Sequence, residues 1–179
     1  MSIRNKLLEM LTVAMPENIS KGMRAINTQN YTESNIKLAS GASNDTIFIT
    51  GNGGVILKSR RVGYTGSGIN AFIYEGPTYT GGVQSETQNP NAINPVATLS
   101  QIFTGAVVSA PGSLIFSPEY SIGINSQQAK GSSSREIGQE KVLKSNTAYL
   151  FRLTSVDNQI EDVTTALSWY EGPIDLPRP

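Results

Sequence analysis

The chain has 179 residues, enough for one domain with a real core. Its 14 basic residues balance its 14 acidic ones, without the basic excess that nucleic-acid binders usually carry. It contains neither Cys nor His, which excludes disulfides, thiolate nucleophiles, histidine-based triads and imidazole metal sites.

Residues 2–14 read as a short amphipathic helix. Ile3, Leu7, Met10, Leu11 and Ala14 fall on one face at helical spacing, Ser2 caps the start and Pro16 marks the stop. Arg4 and Lys6 precede this stretch as in a signal peptide. Glu9 interrupts the apolar run, however, and Met15-Pro16-Glu17 is a poor cleavage site. No run approaches the ~20 apolar residues that span a bilayer, so the chain reads as soluble, with no membrane partner. Residues 16–44 are polar and weakly patterned, and read as an extended arm or linker.

The pattern then changes to period two. Thr46-Ile47-Phe48-Ile49-Thr50 is β-branched and aromatic, as a strand requires. Gly51-Asn52-Gly53-Gly54 turns the chain into a second strand at 55–62. The next glycine-rich turn, 63–68, leads to a third strand at 69–74. A long irregular stretch follows at 76–96, and loops of that length are usually functional or unstructured. Strands resume near 98–103, 106–109, 113–116 and 120–124, and the polar tract 125–134 reads as a loop. Residues 140–143 begin another strand. The clearest one is 148–156, where Tyr149, Phe151 and Leu153 alternate against Ala148, Leu150 and Arg152. The last strand is about 164–170, before a proline-bearing tail. Short strands with Gly/Pro turns and no internal helix argue for an all-β fold. The expected form is a jelly-roll-like β-sandwich over 45–179, with a helix and arm over 1–44.

Several patterns invite a chemical reading. The glycine-rich turns resemble phosphate loops, but both lead into strands rather than opening a helix, so they read as hairpin turns. Lys58 and Arg60 fall on one strand face at period two, with Arg61 opposite. Such a pair contacts an acidic partner or a glycan, or stands as a solvated face. Asp157, Glu161 and Asp162 form an acidic turn without the ligand alternation of a calcium loop. Tyr64, Tyr74, Tyr79, Trp169 and Tyr170 serve either as core or as a sugar-stacking platform, and Tyr79 stands apart because it sits in the long loop. Nothing selects a catalytic carboxylate pair, so no catalysis, cofactor or metal is expected.

Three stretches carry a family resemblance: residues 51–60, from Gly51-Asn52-Gly53-Gly54 to Arg60; residues 74–82, Tyr74-Glu75-Gly76-Pro77-Thr78-Tyr79-Thr80-Gly81-Gly82; and residues 142–152. With the ending Trp169-Tyr170-Glu171-Gly172, they resemble the decoration (cement) proteins of tailed-bacteriophage heads, over roughly three quarters of the chain. The resemblance implies a virion structural protein on the capsid surface, present in the host cytoplasm during assembly. Its partners would be the major capsid protein and further copies of itself, as a dimer or trimer. Ile3, Leu7, Met10, Leu11, Lys58, Arg60 and Tyr79 are the candidate contact residues. Similar modules occur in tails and fibres, where they bind receptors or glycans, and this is the alternative reading.

Overall fold

The computed structural model describes residues 27–116, 119–122, 131–133 and 140–172, with 119–122 and 131–133 described by backbone alone. The expected helix at 2–14 lies outside these residues. The first four strands are β1 (Thr28–Leu38), β2 (Ser43–Ile49), β3 (Val55–Tyr64) and β4 (Gly68–Glu75). Then come five short ones: β5 (Thr78–Thr80), β6 (Val83–Ser85), β7 (Gln101–Thr104), β8 (Val107–Ala110) and β9 (Ser113–Leu114). The last five are β10 (Glu119–Ile122), β11 (Gly131–Ser133), β12 (Lys141–Leu143), β13 (Ala148–Ser155) and β14 (Glu161–Glu171). The described residues contain no helix, and every strand pair is antiparallel, as the all-β reading expects.

The strands form two main sheets. The first has the order β1-β14-β3, and β3 is completed along its other edge by β12 beside residues 55–57 and by β11 beside residues 62–64. The second has the order β10-β4-β13-β2-β7-β6, with β9 also beside β4. Strands β5 and β8 pair apart from both. The two main sheets share one interior. Tyr31, Leu57, Leu167 and Trp169 of the first pack with Phe48, Ile73, Ile102, Tyr149 and Phe151 of the second. A second cluster joins Leu38, Val62 and Val163 to Ile69, Ala71 and Leu153. Trp169 sits at the centre with no solvent exposure, and Phe48 meets it edge-to-face at 5.1 Å. That geometry suits the ring quadrupoles and adds to the apolar area removed from water.

The sequence places a linker where β1 lies. Thr28–Leu38 pairs along β14 from Tyr170 to Glu161 and buries Tyr31, Ile36 and Leu38, so the boundary expected at residue 44 falls inside the fold. A register shift between Glu33 and Ile36, with Asn35 at φ 62°, explains why period two was not visible. The bulge moves the inward side chains from 31 to 36 and 38, and no alternating template fits that spacing. Gly131–Ser133, read as part of a loop, also forms a strand against β3.

A second bulge corrects the basic pair. Ser59 lies opposite Ser168 but Leu57 lies opposite Trp169, so Lys58 is an extra residue in β3. The alternation changes phase there, and Lys58 and Arg60 end on opposite faces. Arg60 is not a surface residue. It points between the sheets, 3 % exposed, with its guanidinium 5.3 Å from the Phe151 ring centroid. Its Nη1 donates to the Phe72 carbonyl and its Nη2 to the Arg152 carbonyl, each at 3.1 Å. One side chain thus ties β3 of the first sheet to β4 and β13 of the second. The charge stays buried because carbonyl dipoles and an aromatic face replace part of its water. Arg60→Ala removes both the ties and the stem packing, and is expected to cost about 3 kcal/mol in chemical denaturation. Arg60→Met, which keeps the stem and removes the charge, is expected to cost about half of that. Equal losses in the two variants would show that the charge and its two hydrogen bonds matter and the stem packing does not.

Candidate functional site

The connection between β4 and β10 departs most from the compact sheets. It contributes β5 and β8 as a separate ribbon, β6 and β7 as an extension of the second sheet, and a long loop at residues 86–100. The loop is held firmly at its base. The Glu171 carboxylate, at the end of β14, accepts hydrogen bonds from the Leu99 N–H at 2.5 Å, the Ser100 N–H at 3.0 Å and the Thr98 hydroxyl at 2.8 Å. Trp169 Nε1 donates to the same group at 2.7 Å, which joins the latch to the centre of the core. Gly51 allows the close approach: a Cβ there would stand 2.6 Å from Leu99 Cβ and 2.8 Å from its carbonyl oxygen. On the other side, Gln29 Nε2 donates to the Val96 carbonyl at 2.8 Å, and Asn30 pairs with Gln88.

Beyond that base the connection offers an apolar, almost uncharged surface. Between Gly76 and Phe116 the one charged residue is Glu86. Val83 is 73 % exposed, Ile93 97 % and Val107 69 %, with Leu99 and Leu114 about half exposed. Six of the nine large apolar side chains exposed among the described residues lie in this one connection. The side of the second sheet turned away from the shared interior also carries an apolar row, from Leu114 through Tyr74, Leu150 and Ile47 to Phe103, but Leu150 and Ile47 have no solvent exposure, so the middle of the row is covered and not part of the exposed surface. Outer faces of antiparallel sheets normally alternate to polar, so this row departs from the usual solvated pattern. Sequence reasoning missed it because its members come from five strands and meet only through register.

Of the residues expected to make contacts, Ile3, Leu7, Met10 and Leu11 lie outside the described residues. Lys58 is half-buried on the first sheet, with Nζ 3.5 Å from Thr28 Oγ1, and Arg60 is interior. Tyr79 lies on the β5–β8 ribbon, opposite Val108 and half-buried, next to the exposed apolar residues. The three described candidates, Lys58, Arg60 and Tyr79, thus stand in three different environments. The sugar-stacking platform is also not assembled, because Trp169, Tyr170 and Tyr64 are all core residues. Both glycine-rich turns join consecutive strands, as their reading as turns expects.

The acidic turn divides. Asp162 pairs with Lys37 across to β1. Asp157 faces the β3–β4 turn, where the Ser67 N–H, with those of Asn158 and Gln159, holds its carboxyl below the ordinary range. Burial pushes the Glu161 carboxyl above its ordinary range. The Asp157 charge adds to that, against the pull of the Ser155 hydroxyl and the Gly66 N–H. Among the described residues no three acidic side chains converge. On the outer sheet face Arg152 grips Asp45 with two bonds of 2.7 and 2.6 Å, which raises the arginine further.

Neither a protein-family model nor a curated protein matches the chain.

Proposed function

We propose that this chain is a structural protein of a tailed-phage virion, a jelly roll that binds the assembled capsid and reinforces it. The observation that carries the reading is the β4–β10 connection, which gathers exposed apolar side chains around a single charge on a base locked into the core. Such a surface sheds water at little cost and suits a protein partner. The jelly-roll reading is supported by strand order. β1-β14-β3-β11/β12 faces β2-β13-β4-β9/β10, the arrangement produced when a long hairpin is rolled up. The family resemblance of the strand and turn motifs points the same way. The mechanism is mass action: a protein that binds the assembled shell and not its free subunits stabilises the shell, and symmetry multiplies each small contact. Self-association as a dimer or trimer belongs to the same proposal, and light scattering of the full chain measures it.

Electron microscopy of purified virions is the test. Regular density for this chain on the head is the expected result. Density at the tail tip would favour the receptor- or glycan-binding alternative, and absence from the particle would end both readings. A paired Val83→Asp, Val107→Asp change alters two side chains that are largely in water, so stability should move by less than about 1 kcal/mol. Head occupancy should fall at least tenfold, because two charges must then be desolvated at the contact, with about 1.4 kcal/mol for each factor of ten. Unchanged occupancy would remove this surface from the interface.

A further inference from the structure

The turn between β3 and β4 meets the connection between β13 and β14 at one end of the sheets, and two carboxylates converge there. A Cβ built on Gly66 would stand 2.1 Å from Asp157 Oδ2 and 2.6 Å from Glu161 Oε2, so both oxygens crowd the same point. Asp157 is held in place: Oδ2 accepts from the Ser67 N–H at 2.7 Å and Oδ1 from the Asn158 N–H at 2.6 Å. Glu161 is not. It is 1 % exposed, and neither of its oxygens has a hydrogen-bond partner among the described residues. The Ser155 hydroxyl and the Gly66 N–H lie against it without closing a bond.

A carboxylate buried without compensation is costly, and a like charge beside it makes the cost greater. A proton would satisfy one of the two oxygens. A cation shared between the carboxylates satisfies both and removes their repulsion. We propose that Asp157 and Glu161 bind a divalent cation of the calcium type. All candidate donors are oxygens: two carboxylates and the neighbouring Ser67 and Ser155 hydroxyls, with water to complete the shell. This is the hard donor set that such ions prefer. With only two charges the affinity should be weak, on the order of 0.1–1 mM. The bound ion would clamp the β3–β4 turn to the β13–β14 connection. Asp162 takes no part, since it pairs with Lys37.

The test is thermal unfolding of the full chain at neutral pH with added CaCl2, against NaCl of equal ionic strength. At about 5 mM CaCl2 the midpoint should rise by about 3–5 °C over the NaCl control. Glu161→Gln and Asp157→Asn should each abolish the rise, and Asp162→Asn should keep it. Titration calorimetry on the unaltered chain gives a readout that needs no variant to fold, and saturable calcium binding is the expected result. No calcium-specific rise, no saturable binding, or a rise that persists in Glu161→Gln overturns the proposal.

Discussion

Deleting residues 1–42 should abolish cooperative folding. The cut removes β1 entirely, and with it Tyr31, Ile36 and Leu38, all at most 8 % exposed. Burying three such side chains is worth roughly 1.5–3 kcal/mol each. The ladder from Thr28 to Leu38 along β14 is lost as well. The sum is comparable to the roughly 5–15 kcal/mol that holds a whole domain together. The cut also leaves β14 as a long unpaired edge, so the truncated chain should self-associate. Circular dichroism during heating should show a broad, shallow change where the full chain melts sharply. A sharp transition within a few degrees of the full chain would mean that β1 contributes little, and that the core closes over β14 and β3 alone.

The second large effect is expected at Glu171. Its carboxylate receives four donors, two of them backbone N–H groups and one the Trp169 indole. Glu171→Ala strands those donors in a site that is 5 % exposed, and each buried orphan costs about 1–3 kcal/mol. The expected loss is about 4 kcal/mol, and the melting midpoint should fall by roughly 10 °C. Glu171→Gln keeps the shape but offers one acceptor oxygen and turns an NH2 group towards donors, so about half the loss is expected. Hydrogen exchange separates this latch from general packing. In both variants the Leu99 and Ser100 amides should lose protection before those of β13 do. A Glu171→Ala protein within about 1 kcal/mol of the unaltered chain would show that water replaces the carboxylate without strain.

The strands that read clearly from sequence are those whose period is unbroken. β13 alternates without a fault, and its inward set of Tyr149, Phe151 and Leu153 lies in the core as the alternation requires. β2 and β4 share the same regularity, and their ends differ from the sequence reading by a few residues. Where a bulge interrupts the period, the reading fails. The shift near Asn35 hides β1 from any period-two pattern, and the extra residue Lys58 places Arg60 on the inner face of β3 and not on the face of Lys58. A bulge is a property of two strands, defined only against the partner, so no single-strand pattern contains it.

The candidate surface shows the same division. The stretch 76–96, the first half of the β4–β10 connection, is legible as unusual from its prolines, glycines and length. The firm base of the connection is not, because Glu171 and the Leu99 and Ser100 amides are more than seventy residues apart. The contacts that make a loop rigid, bury an arginine or set two carboxylates beside Gly66 are all long-range. The sequence alone accounts for the all-β character of the described residues, most of their strands, the lack of thiol and imidazole chemistry, and the balanced charge. Those follow from composition and from local alternation. Only the tertiary structure decided which side chains face water and which face each other, because strand register and sheet stacking bring together residues that share no local pattern.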